Sequence, residues 1–266
     1  MIPAPMTTRS GEYAFWAVGK DMIGKLMAGD AQSDDRRRGG PSSALRWRGD
    51  EPPFSTRFDD HYYSRHDGRA ECAHVFLAGN DLPARWRDRE RFVIGELGFG
   101  TGLNMTETWR LWKTVRQPGQ ALSLVSIEAY PLAAEAAASA LGAWPELAVE
   151  REAMIRHWPA LMAGQQIDLD DSTTLCLLVG EAEDRLSRWD GRADAWFLDG
   201  FAPKKNPDLW SGTLMRAVFD HTVPGGSFAT YTAAGWVRRN LMAAGFTVEK
   251  RPGHAGKRDM CVGWRD

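Results

Sequence analysis

Five apolar runs bounded by turn signals constrain this chain more than any other feature. They are "RFVIGEL" from Arg91, "LSLVSIE" from Leu122, "TLCLLVG" from Thr174, "ADAWFLD" from Ala193 and "GSFATYT" from Gly226. Most are separated by stretches with helical spacing or composition, the pattern of parallel strands joined by crossover helices. The sequence therefore predicts an α/β fold, Rossmann-like, with a mostly parallel sheet. The helix expected at Leu103 to Val115 places Met105, Trp109 and Trp112 on one face. "YPLAAEAAASAL" reads as a second helix with a proline in its first turn, and "AAGWVRRNLMAAG" as a third that closes on glycine. The last apolar stretches, "FTVEKR" and "DMCVGW", are placed as an antiparallel hairpin at the sheet edge.

Upstream of the first run, "FDDHYYS" and "AHVFLAGN", between Ala44 and Trp86, read as short strands forming a small N-terminal β decoration. Residues 1–43 end in "DDRRRGGPSS" and read as a flexible lead-in, which leaves 44–266 as one domain. The 33 basic and 35 acidic side chains nearly cancel. Any nucleic-acid contact must then come from a local basic patch. Cys72, Cys176 and Cys261 are scattered, without metal or disulfide spacing, and read as buried thiols in a reducing compartment. No basic-then-apolar leader and no membrane-length apolar run is seen, so the expectation is a cytoplasmic protein that needs no membrane and no metal.

In "GELGFGTGLN" an acid, Glu96, ends the first strand, and Gly98, Gly100 and Gly102 follow at alternate positions before a helix. Glycines there permit a tight turn and let a ligand approach main-chain N–H groups. A dinucleotide fingerprint would want its third glycine at Leu103, so nicotinamide cofactors are disfavoured. The alternate spacing resembles motif I of class I S-adenosyl-L-methionine-dependent methyltransferases. That fold would also use Glu128, ending the second strand, for ribose hydroxyls, and Glu181, after "LLVG", near an adenine amine. The "VPGG" turn before the fifth strand fits the same pattern. Asp199 ends the fourth strand beside the first, at the switch in strand order where such folds bind ligands. Gly200 to Pro203 would then line the pocket for the transferable methyl group.

"DAWFLDGFAPKKNPDLW", with "FDDHYYS", "VFLAGN", "GWVRRNLMAAGF" and "GKRDM", carries a narrower resemblance. The chain from about Arg57 to Trp264 is similar to the methyltransferase domain of the tRNA 5-methylaminomethyl-2-thiouridine biosynthesis proteins, the MnmC N-terminal domain or its stand-alone MnmD counterpart. The resemblance implies S-adenosyl-L-methionine as cofactor, tRNA as partner, and methylation of the aminomethyl group on a wobble uridine. Three departures stand out. Glu181 replaces the family's usual Asp, the lead-in has no family counterpart, and the flavin-dependent oxidase fused to many members is absent. That absence reads either as a stand-alone enzyme, with a separate flavin-dependent oxidase as its partner, or as an excised fragment.

A primary amine is largely protonated near neutral pH, and an ammonium has no lone pair for attack. Asp199 is the candidate to bind it and accept its proton, with Asp60 or Tyr62 assisting. Phe201 and Pro203 would wall the pocket, Phe201 either stacking on a flipped-out uracil or simply packing. The candidate phosphate contacts are Lys204 and Lys205 at the rim, Arg238 and Arg239 on a late helix, and Lys250, Arg251, Lys257 and Arg258. Two other readings stay open: a small-molecule N- or O-methyltransferase of the same fold, and a non-catalytic RNA-binding protein.

Overall fold

The computed structural model describes residues 45–47, 51–256 and 259–266; the expected lead-in, Lys257 and Arg258 lie outside them. Strands β1 (Leu45–Arg46), β2 (Phe54–Ser55) and β3 (Asp60–His61) pair antiparallel in that order as a small sheet. Asp67 then caps α1 (Gly68–Glu71), its carboxylate accepting from the Arg69 and Ala70 amides at 2.9 and 3.1 Å. The chain stays helical through a wide turn, Cys72–Leu77, and a tighter one, Ala78–Asn80.

That helical stretch corrects the strand expected at "AHVFLAGN". Aromatic and β-branched content suggested a strand, but Cys72, Val75 and Phe76 stand three and four apart. All three are buried in one core cluster, and Phe76 stacks on Phe197 of the main sheet at 5.3 Å. Spacing outweighed composition.

The main body continues with β4 (Arg91–Leu97), α2 (Leu103–Val115), β5 (Ala121–Glu128), α3 (Ala134–Leu141), α4 (Ala148–Arg156) and α5 (Trp158–Met162). Next come β6 (Ile167–Asp170), β7 (Thr173–Val179), α6 (Ala182–Arg188), β8 (Ala193–Leu198), α7 (Gly212–Asp220) and β9 (Thr222–Thr230). The chain closes with α8 (Gly235–Ala244), β10 (Thr247–Pro252) and β11 (Asp259–Trp264). The eight strands lie in the order β10-β11-β9-β8-β4-β5-β7-β6. The five runs singled out in the sequence are the five mutually parallel strands β7, β5, β4, β8 and β9. The expected edge hairpin is β10 with β11, which joins β9 antiparallel. Short β6, antiparallel to β7 and bulged after Asp168, was not anticipated.

Both faces of this sheet are covered, which explains the nearly continuous apolar runs. Along β8, Ala195 and Phe197 enter one core cluster with Met105, Trp109 and Trp112 of α2, while Trp196 and Leu198 enter another with residues of α6, α7 and α8. Gly95 leaves room for this: a Cβ there would lie 2.5 Å from the Trp196 ring. Two local expectations shift. Pro131 precedes α3, which begins at Ala134 after an extended Ala133, so it does not sit in the first turn. "VPGG" falls within β9, where the register against β8 jumps from Thr222 to Ser227 and these four residues loop out. Gly245 closes α8 in the left-handed region as expected, at φ 119°.

Phe76→Ala should cost about 3–5 kcal/mol, the usual loss for emptying a buried Phe site. Chemical denaturation measures it, and a loss below about 1 kcal/mol would show that this helical segment does not pack on the sheet.

Candidate active site

The carboxyl ends of the five parallel strands share one edge, and their turns are tied together by main-chain bonds. Asp199 donates its amide to the Leu97 carbonyl at 3.2 Å, and Gly98 donates to Ile127 at 2.9 Å. The turns after β4 and β8 then meet backbone to backbone. A Cβ on Gly98, at φ 86°, would stand 3.2 Å from Cα and N of Gly200. Gly100 (φ 54°) lies under the Tyr62 ring, and Gly102 (φ 81°) starts α2. These positive φ values are why the turn alternates glycine.

Three carboxyl groups gather around it. Glu96 on β4 is fully buried and accepts from Asn104 Nδ2 at 2.9 Å and from Ser126 Oγ at 2.5 Å. The same Asn104 amide donates to Asp199 Oδ2 at 2.8 Å, and Gly200 N donates to Asp199 Oδ1 at 2.7 Å. Glu128 closes β5, its two oxygens accepting from Gly100 N at 3.0 Å and Tyr130 N at 2.8 Å. Burial pushes Glu96 up to about 8; the Ser126 and Asn104 hydrogen bonds oppose the shift, and the Asp199 and Glu128 charges add to it. Burial likewise raises Glu128 above the ordinary carboxylate range.

The small N-terminal sheet delivers an aromatic rim. Phe201 stacks on Phe58 at 4.6 Å and meets Tyr62 edge-on at 5.1 Å, while Arg57 lies over the Tyr130 ring at 4.1 Å. Asp60 accepts the Ala202 amide at 3.0 Å, and Asp59 pairs with Lys205 at 3.0 Å. Asp60 thus holds the loop after β8 in place. Tyr62 faces Gly100 and Glu128, and burial, with the Glu128 charge adding, lifts its phenol to about 12. Phe201 is half-buried with one face packed on Phe58, Pro203 is buried, and Lys204 is exposed. Glu181, exposed at the start of α6, accepts from the Tyr130 hydroxyl at 3.2 Å.

The expected basic track is thinner than the sequence suggested. Lys250 pairs with Asp259, Arg251 with Asp81 and Glu249, and Lys205 with Asp59. Half-buried Arg238 and exposed Arg239 lie on α8, which leaves the site-side end of β9. Among the residues the sequence reading missed, Asn104 is the most telling, since it closes the quoted "GTGLN" yet was passed over as helix. Tyr231, just past β9, whose hydroxyl donates to Gly200 O at 2.9 Å, and Ser126 inside β5 belong to apolar runs with no local signal.

A family model described as S-adenosyl-L-methionine-dependent methyltransferase matches residues 145–266. The chain is 47% identical over 226 residues, 82% of its length, to the tRNA 5-methylaminomethyl-2-thiouridine biosynthesis bifunctional protein MnmC of Chromohalobacter salexigens. It is also 47% identical over 224 residues, again 82% of its length, to the protein of that name from a Caulobacter species.

The chain is a relative of the MnmC proteins.

It covers 32% and 37% of those two MnmC relatives, so it spans about a third of their length. A crystal structure of MNMC2 from Aquifex aeolicus shares its fold, with a TM-score of 0.67 over 83% of this chain and 69% of that one at 21% identity. The architecture is that of class I methyltransferases with an antiparallel edge hairpin and a small N-terminal sheet. Among the described residues, no helix is long and apolar enough to cross a membrane, and no group of three or more His, Cys, Asp or Glu side chains is placed to hold a metal ion.

The Glu96 environment has a consequence for stability. Unfolded, its carboxyl titrates near 4.5; folded, near 8. Between those values the native state keeps a proton that the unfolded state has lost, so its contribution is complete below about 4.5 and is lost as pH rises toward 8. Glu96→Gln stays neutral and can still serve Asn104 and Ser126. Its stability relative to wild type should therefore rise between pH 5 and pH 9, by a few kcal/mol at most. Denaturant midpoints at both pH values test this, and a pH-independent difference would refute it.

Proposed function

We propose that this chain is an S-adenosyl-L-methionine-dependent tRNA methyltransferase that N-methylates the 5-aminomethyl group of a wobble (2-thio)uridine, giving the 5-methylaminomethyl form. The observation that carries the reading is Asp199, held by Asn104 and Gly200 where two glycine turns meet, beneath an aromatic rim. The names of the relatives, which speak of 5-methylaminomethyl-2-thiouridine biosynthesis, supply the substrate class.

The residues present fit the cofactor. The backbone from Gly98 to Gly102 offers an approach that side chains would block, the Glu128 carboxyl suits a ligand bearing hydroxyls, and buried Glu96 supports the turn from within the sheet. Gly98, Gly100, Gly102, Glu128, Glu181 and Asp199 would hold it, and Glu96 would serve through the turn. When bound, S-adenosyl-L-methionine supplies an electrophilic methyl carbon on a sulfonium. The protein's own task is to present a neutral amine in line with it. Asp199 binds the substrate ammonium and takes its proton, directly or through water. Phe58, Tyr62 and Phe201 narrow the entrance and keep water away from the amine. Asp60 and Tyr62 serve by position: one fixes the loop after β8, the other covers the glycine turn.

Lys204, Arg238 and Arg239 would meet tRNA phosphates around this opening; Lys257 and Arg258, outside the described residues, are further candidates from the sequence. We assign supply of the amine to a flavin-dependent oxidase, either a separate protein or a further part of a longer chain. This reading places the work in the cytoplasm.

Mass spectrometry of tRNA nucleosides, before and after incubation with protein and cofactor, decides the matter. The expected result is loss of the 5-aminomethyl nucleoside and gain of its N-methyl product. Gly100→Val should abolish cofactor binding in calorimetry while the protein stays folded, the left-handed backbone adding a cost of about 1–2 kcal/mol. Unchanged affinity would overturn the cofactor assignment. Asp199→Asn should lower methyl transfer by roughly a hundredfold or more, with much of the cofactor affinity retained and partial rescue at high pH, where solvent supplies neutral amine. Wild-type transfer in that variant would move the chemistry to another residue.

A further inference from the structure

We propose that Asn104 is the positioning residue of this site: its side-chain amide fixes the Asp199 carboxylate through a donor group shared with Glu96, and so governs where Asp199 points and how readily it accepts a proton. The inference rests on the proposed role of Asp199 and goes beyond it, because it assigns the control of that carboxylate to a residue of another element.

Asn104 stands in the first turn of α2, one residue after Leu103 and two after Gly102. An Asn in a first helical turn commonly bonds to nearby backbone. Here its Nδ2 instead reaches the ends of two neighbouring strands, donating to Glu96 Oε1 on β4 at 2.9 Å and to Asp199 Oδ2 after β8 at 2.8 Å. An NH2 has two hydrogens, and two carboxyl oxygens consume both. The carbonyl end of the amide could not take this place, since it would face two acceptors.

The surroundings make that donor matter. Glu96 approaches Asp199 from β4 and Cys72 from the helical segment before the sheet, with Glu71 of α1 acting on Cys72. Tyr231 faces it from the bend that follows β9, with Asp60 of β3 acting on the same hydroxyl. Each of these groups is acidic or neutral. Burial, with the Glu107, Glu96, Asp199 and Glu71 charges adding, raises the Cys72 thiol; burial, with the Asp199, Asp60 and Glu71 charges adding, raises the Tyr231 phenol. Glu107 of α2 adds its charge at Cys72 but is itself tied to Arg69 and Arg110. In such a field an N–H donor to Asp199 stabilises its ionised form and fixes its plane; without it, the carboxylate turns and becomes more basic.

Two substitutions separate this role from simple packing. Asn104→Ala removes the donor and leaves a gap. Asn104→Asp keeps the shape but replaces the donor with a third acceptor and a further negative charge. A space-filling role makes Ala the more damaging change; a donor role makes Asp the more damaging. With S-adenosyl-L-methionine and tRNA bearing the 5-aminomethyl group, kcat should fall about tenfold in the Ala variant and further in the Asp variant, with KM for tRNA little changed. The acid limb of the kcat–pH profile should move to higher pH by on the order of one unit for Ala and more for Asp. Ser126→Ala, which removes the other donor to Glu96 and leaves Asn104 in place, should not move that limb. Denaturation of the free protein gives a reading independent of activity. At pH 9 the Asp variant should be less stable than the Ala variant, and the gap should narrow at pH 5 as carboxyls take up protons.

Should either variant fail to fold, Asn104→Ser keeps a shorter donor and should give a smaller shift of the limb in the same direction. An unmoved acid limb in the Asn104 variants, an equal shift in Ser126→Ala, or greater damage from Ala than from Asp throughout would overturn the inference. If Asp199→Asn loses activity while the Asn104 variants keep a normal profile, only this inference fails. Full activity in Asp199→Asn would overturn the reading beneath it as well.

Discussion

The backbone of Gly98 lies against that of Gly200, and the rest of the site depends on that contact. β4 and β8 are neighbours in the sheet, with Leu97 in register with Leu198, although about a hundred residues separate them in the chain. A side chain at Gly98 would meet Gly200 at 3.2 Å, and one at Gly200 would collide with Leu209. Without Cβ atoms the two turns close over the strand ends. That closure brings Glu96 and Asp199 within reach of one amide, at the strand-order switch where doubly wound sheets bind ligands.

The small sheet ahead of the main domain completes the site. Its charged contacts with the loop after β8 do not account for this by themselves, since the Asp59–Lys205 pair is exposed and such pairs contribute at most about 1 kcal/mol. The ring contacts of Phe58 and Tyr62 with Phe201 and the half-buried Asp60 bond to the Ala202 amide hold it more firmly. The consequence is chemical. Residues far apart in sequence form the wall that shields Asp199 and the glycine turn.

Much of this is legible in the sequence. Apolar runs buried on both sides announce parallel strands, and glycines at alternate positions announce a turn at positive φ; both are local patterns with local causes. The positions of Glu96, Glu128 and Asp199 followed because each ends a recognisable strand. The segment from Ala73 to Asn80 was misread because strand-like composition competed with a three-and-four spacing, and packing on Phe197 decided the outcome. The roles of Asn104, Ser126 and Tyr231 were not legible for a different reason. Each depends on a partner from another strand, and a sequence pattern carries no record of which polar groups meet across a sheet. The basic residues show the same limit: counting cations located Lys205, Lys250 and Arg251, but only the fold shows the acids beside them.

Under the proposed function both reactants arrive carrying positive charge, one as a sulfonium and one as an ammonium, yet transfer requires that the second become neutral. A site with uniformly ionised carboxylates would attract both and hold the proton on the amine. This site has two carboxyls in unlike settings joined by one amide. Glu96 is sealed in the sheet, and burial holds its proton up to about pH 8, while Asp199 stands half-buried at the turn with two N–H donors on its oxygens. Unequal environments of this kind divide roles between like groups. The inner carboxyl maintains the shape of the turn without adding a full charge at neutral pH, and the outer one meets the amine. Asn104 is bonded to both, which makes the division a property of one side chain's geometry as much as of burial.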